Sequence, residues 1–138
     1  MGIVVKQYLN PGRSRLVSCR QCGTALTLKL YLHSRNFVAR SGAAYLFDDA
    51  VNLRLGPSKL QVLMTGLHRI CPVFCIDCDM ELGWFYVDAM SESQRYKVGR
   101  YILERRYIRF HRRWRSRHAL YGSGDDGDDD VCAMTVEA

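Results

Sequence analysis

From residue 25 to residue 32 apolar and polar positions alternate, with Leu26, Leu28, Leu30 and Leu32 on one side. A period of two over this length predicts a strand. Gly42-Ala43-Ala44-Tyr45-Leu46-Phe47 sets small residues ahead of bulky ones; Val51-Asn52-Leu53 continues the run, and Leu55-Gly56-Pro57-Ser58 closes it with a turn. Residues 59–65 predict another strand, with Leu60, Val62 and Met64 on one face and Gly66 as its end. Apolar runs at 69–74 and 82–87 lie on either side of a cysteine pair. Residues 89–97 are polar and turn-like, enough for a single helical turn, and Tyr101-Ile102-Leu103 predicts a final strand. Short strands separated by turn signals predict an all-β domain.

Two cysteine pairs frame that domain. Cys19-Arg20-Gln21-Cys22 and Cys75-Ile76-Asp77-Cys78 stand 52 residues apart. A turn of this spacing aims both sulfurs at one point. Two such turns supply the four thiolates of a tetrahedral structural zinc site, with bonds of about 2.3 Å and no open position. Gly23 suits the tight backbone that turns amides toward the thiolates. Redox chemistry would need an accessible, acidic thiol, usually at a helix N-terminus, and neither pair precedes a helical pattern. Asp77, Asp79 and Glu81 read as solvated residues beside the second pair, and His68 as a hydrogen-bonded structural histidine. Cys71 reads as a small buried residue and Cys132 as a free thiol.

At 138 residues and 48% hydrophobic composition the chain has room for one core. No run approaches the roughly 18 apolar residues of a membrane span. No signal-like apolar stretch opens the chain, and Lys6 stands where a myristoylation signal wants Ser or Thr. The reading is a soluble, intracellular protein without a membrane partner, where paired cysteines serve as ligands rather than disulfides. The net charge of +6 hides an asymmetry: all 20 Lys and Arg precede residue 119, together with only eight of the 14 acids. From Arg105 to His118 there are seven Arg and no acid, with Tyr107, Phe110 and Trp114 interleaved, and five Asp follow between 125 and 130. The expected division is an N-terminal segment 1–15, a zinc-binding domain 16–105, and an Arg-rich then Asp-rich extension 106–138, disordered in part.

With the pairs and strands placed, the chain resembles the Yippee-like family. The resemblance rests on both cysteine pairs and their separation, then Leu82-Gly83-Trp84. It extends through residues 42–47, Val51-Asn52, Gly56-Pro57, Leu63-Met64-Thr65-Gly66-Leu67-His68, and the run from Ser93-Gln94 to Glu104. It implies a β-tent: two antiparallel sheets set roughly at right angles and pinned at the apex by one zinc, a fold also known in Mis18 and the ligand-binding domain of cereblon. It implies a non-enzymatic protein of nucleus and cytoplasm, with partners in mitotic or centrosomal assemblies or a CTLH-type ubiquitin ligase. Phe85 departs from the Lys common after Gly-Trp, and Val98 from the usual Glu before Gly.

Two further sites are candidates. In cereblon the matching strand walls a small cage for a cyclic imide. By that resemblance Trp84 and Tyr86, on one face of a strand, would line a pocket completed by Met64, Ile70 and Phe74; core packing is the competing reading. The segment from Arg105 carries guanidinium groups for phosphates and aromatics for stacking. Its nucleic-acid contacts would be Arg105, Arg106, Arg109, Arg112, Arg113, Arg115 and Arg117. A nuclear-localisation signal and a solvated segment paired with its own Asp run are the alternatives.

Overall fold

The computed structural model describes residues 6–12, 14–112 and 136–137. Two sheets organise them. In the smaller, β1 (Leu16–Cys19) lies between β10 (Ile108–Phe110) and β2 (Ala25–Leu28), antiparallel to both. The larger begins with β3 (Leu32–Ala39), β4 (Gly42–Phe47), β9 (Tyr101–Glu104) and β8 (Glu81–Ala89) as successive neighbours. Next comes β7 (Gly66–Cys75), whose far side pairs with both β5 (Leu53–Leu55) and β6 (Lys59–Leu63). All these pairings are antiparallel; β11 (Val136–Glu137) adds to β3 in parallel. The fold is all-β, as the pattern predicts.

β4 explains why residues 42–47 are apolar without alternating. Tyr45 and Phe47 enter a core with Val17, Leu26 and Ile108 of the small sheet and Val73, Leu82 and Leu103 of the large one. Ala44 and Leu46 point the other way, into a second core with Phe37, Ile70, Tyr86 and Ile102. A strand buried on both faces needs no polar positions. Each large apolar side chain so covered contributes about 1.5–3 kcal/mol.

Several expectations change. The strand predicted over 25–32 stops at Leu28, where a 3-10 turn (Lys29–Tyr31) takes over. The turn breaks the period of two, so Leu26 and Leu28 are buried while Leu30 stands 60% exposed. Val51-Asn52 does not continue β4: Asn52 has φ 59 and turns the chain. Leu60, Val62 and Met64 do share a face, but that face meets solvent, at 51%, 76% and 75% exposure. The boundary expected at residue 105 falls inside the fold, since β10 pairs with β1 and Ile108 is buried. Gln7, before residue 16, is also tied down, its amide donating to Asn52 Oδ1 at 2.6 Å.

A 3-10 turn (Glu92–Lys97) sends Lys97 inward, fully buried. Its Nζ donates to Thr65 Oγ1 at 3.0 Å and lies 5.3 Å from the Phe37 ring centre and 5.5 Å from that of Tyr86. Burial lowers its pKa from 10.5 to about 8. Below pH 8 folded and unfolded lysine are both charged, and the burial cost is fully present. Between about 8 and 10.5 the unfolded chain holds a proton that the folded one has released, so stability rises with pH. The gap corresponds to about 3 kcal/mol. Lys97→Met should remove this rise. Denaturant melts at about pH 7 and pH 10 check it: equal pH slopes for wild type and variant would contradict the assignment.

Candidate metal centre

The two cysteine turns are built alike. The Cys19 amide donates to Thr24 O and the Gly23 amide to Cys19 O; likewise Cys75 N donates to Met80 O and Asp79 N to Cys75 O, all at 2.8–2.9 Å. The residue after each second cysteine is left-handed: Gly23 at φ 82 and Asp79 at φ 67. Glycine adopts this freely and aspartate tolerates it. The glycine flags the first turn in the sequence. Nothing comparable flags Asp79, which Arg54 holds at 2.5 Å.

β1 delivers the first turn from the small sheet and β7 the second from the large sheet. The ligand atoms of Cys19, Cys22, Cys75 and Cys78 lie within 4.8 Å of one another. Cys19 Sγ is 3.6 Å from Cys78 Sγ, and Cys22 Sγ is 3.4 Å from Cys75 Sγ. A tetrahedron with 2.3 Å zinc–sulfur bonds has edges of about 3.8 Å. The donor set and its spacing therefore fit one zinc ion. Cys19 and Cys75 are buried, Cys78 is partly covered and Cys22 is exposed, so the cluster has one open side for entry of the ion.

Burial pushes the Cys19 thiol up to about 12 and raises that of Cys75. Burial also opposes ionisation of Cys22, but hydrogen bonds with Thr24 and the neighbouring thiols outweigh it and draw its pKa down to about 7. To hold a dication the four cysteines would give up their remaining protons, so zinc uptake would release protons and acid would oppose it. Asn52, noticed in the sequence only as part of a motif, joins the layers here. Its Nδ2 donates to Ala25 O of β2 at 2.7 Å, and its carbonyl accepts from Ile76 N in the second turn at 3.0 Å. Asp77 is taken up by Lys6 at 3.3 Å and by the Thr24 hydroxyl at 3.2 Å, so Asp77 and Asp79 both serve in surface ion pairs. His68 is buried and its Nδ1–H donates to Gly66 O at 2.8 Å, a structural role.

The expected aromatic pocket is only partly assembled. Trp84, Met64 and Ile70 line one concavity of about 770 Å³ with Val62, Pro72 and Tyr107. Tyr86 shares the Trp84 face but is fully buried, its ring 5.4 Å from that of His68. Phe74 turns toward β5, where the Arg54 guanidinium covers its ring at 4.4 Å. Phe85 points into the inter-sheet core and packs on Tyr101 at 4.8 Å. Among the Arg candidates, Arg105 and Arg106 occupy a 3-10 turn, Arg109 lies on β10 and Arg112 follows it. Arg113, Arg115 and Arg117 lie outside the described residues.

A four-thiolate site joining two antiparallel sheets defines a zinc-binding β domain. The chain belongs to the Yippee-Mis18 family, whose model, described as Yippee zinc-binding/DNA-binding and Mis18 centromere assembly, matches residues 15–119. A yippee-like protein of Solanum tuberosum is 37% identical over 118 residues, covering 83% of this chain and 91% of its own. Yippee-like 4 of Rattus norvegicus is 41% identical over 99 residues, covering 72% and 77%. The crystal structure of the Mis18 "Yippee-like" domain aligns with TM-score 0.60 over 74% of this chain and 99% of that one. At 13% identity this is a likeness of fold.

Proposed function

We propose that the chain is a non-enzymatic protein-interaction module held in shape by one zinc on Cys19, Cys22, Cys75 and Cys78. The observation that carries this reading is the cluster of four sulfurs between the sheets. Four protein ligands leave a tetrahedral zinc no position for a substrate or an activated water, so the ion serves to lock two layers together. The surface then does the work, and part of its apolar component lies along β6 and the turn that follows it, where Leu60, Val62 and Met64 are exposed. Such exposed apolar side chains on a small domain are suited to a protein contact. By family likeness the partner lies in a ubiquitin-ligase or cell-division assembly, and the protein works in nucleus and cytoplasm.

The test is recovery of partners from cell lysate by the zinc-loaded full chain and by a Leu60→Ser/Val62→Ser/Met64→Ser variant. These side chains are exposed, so the variant should keep its fold. An assembly that resists nuclease treatment and drops about tenfold or more with the variant supports the reading. Recovery that is equal for both chains, or that disappears with nuclease, contradicts it.

A further inference from the structure

The four sulfurs of the cluster lie together but are unequally reached by solvent. Cys19 and Cys75 are buried, at 1% and 0% exposure, and Cys78 is partly covered. Cys22 alone among the described cysteines is exposed. It lies in a run of four exposed residues, Arg20 to Gly23, where the first turn leaves β1. The Gly23 amide closes that turn on Cys19 O at 2.8 Å. The Cys22 sulfur is thus held at the surface by hydrogen-bonded backbone.

A second thiol stands close behind it. The Cys22 sulfur is 3.4 Å from that of Cys75, which meets no solvent of its own. Cys19 and Cys78, 3.6 Å apart, form the other pair. The thiolate is the form of cysteine that reacts with oxidants, and metal ligation keeps cysteine in that form. Alkylation needs only one accessible sulfur. A second sulfur in contact with the first is what carries an oxidation on to a disulfide. Cys71, also buried, lies outside the cluster and has no such place.

We infer that Cys22 is a modification site for peroxide, with Cys75 as the thiol that resolves it. The inference rests on the zinc assignment above. The Cys22 sulfur attacks one peroxide oxygen; the O–O bond breaks, hydroxide leaves, and the sulfur, giving up two electrons, becomes a sulfenic acid. The Cys75 sulfur then attacks that of Cys22. The S–S bond forms as the S–O bond breaks, and a second hydroxide leaves toward solvent. Two thiolates and one peroxide give one disulfide and two hydroxides, which take up protons as water. Cys19 and Cys78 remain, and two thiolates do not hold a structural zinc. Both turns run on into strands, β2 and β8, rather than into helices that would support redox turnover. The outcome is therefore a change of state in a structural site: one covalent link between the sheets in place of a shared ion.

The experiment uses the zinc-loaded full chain, hydrogen peroxide, a chromogenic zinc chelator and peptide mass mapping. One peroxide consumed should release one zinc. Before any peroxide, a substoichiometric dose of N-ethylmaleimide should mark Cys22 about tenfold faster than Cys19 or Cys75. The first disulfide mapped should join Cys22 to Cys75. A dithiol reductant with added zinc should then restore native near-UV circular dichroism. Cys71→Ser and Cys132→Ser should release zinc within about twofold of the wild-type rate. Mapping is done on the unmutated chain, so nothing depends on a Cys22 variant folding. A reduced chain that binds no zinc overturns the metal assignment and this inference with it. Zinc retained in excess peroxide, faster marking of Cys19, Cys75 or Cys78, or a different first disulfide overturns the inference alone. So does zinc release that requires Cys132.

Discussion

Cys75→Ser unfolds the isolated domain. Cys75 is fully buried, and its sulfur is one of four within 4.8 Å. Serine neither matches thiolate softness nor ionises there, so the site keeps three ligands and binds zinc far more weakly. Structural zinc contributes on the order of 10 kcal/mol to small domains, whereas a whole domain is stable by about 5–15 kcal/mol. Losing the ion therefore removes most of the margin. The loss falls where the layers meet, since β1 and β7 each end in one cysteine turn. Near-UV circular dichroism, thermal melting and zinc content measure the outcome. A strong chelator should reproduce it in the unmutated chain. Cys71→Ser changes a buried cysteine outside the cluster and should retain the metal. Native dichroism and unchanged melting for Cys75→Ser would end the structural-zinc assignment.

Gly83→Ala should cost about 3 kcal/mol or more, by overpacking against a neighbour that cannot yield. Gly83 sits in β8, between Val73 of β7 and Leu103 of β9. A Cβ at this position would lie 1.9 Å from Ile102 O and 2.8 Å from Ile102 C. Those are main-chain atoms of the neighbouring strand, so relief requires moving β9 rather than rotating a side chain. β9 also pairs with β4, and Leu103 faces the inter-sheet core; shifting it disturbs three strands. By contrast Gly23→Ala has open space around its Cβ and a left-handed φ of 82, and should cost nearer 1 kcal/mol. Denaturant melts distinguish the two. A Gly83→Ala loss below about 1 kcal/mol would mean the strands part more easily than close-packed sheets do.

The same glycine marks where reading the chain stops. Its place before Trp84 was visible as a motif, but its purpose lies in the closeness of β9, nearly twenty residues later. Leu60, Val62 and Met64 make a similar case. Their period of two correctly predicts a strand, but only the pairing scheme puts that strand at an edge with its apolar face outward. The Arg-rich segment differs again. Ile108 and Phe110 are two apolar positions at strand spacing, but charge dominates the residues around them, and only the pairing with β1 makes them β10.

What the sequence determined by itself is the all-β class, the two cysteine turns and the kind of metal they suit. Each is a local matter: the period of a strand, the reach of a CxxC turn, the softness of sulfur. The tertiary structure decided which side of each strand is buried, that Tyr86 and Lys97 share an interior, and that cations from both ends meet on one sheet. Those depend on contacts between residues distant in the chain, which neither spacing nor composition encodes.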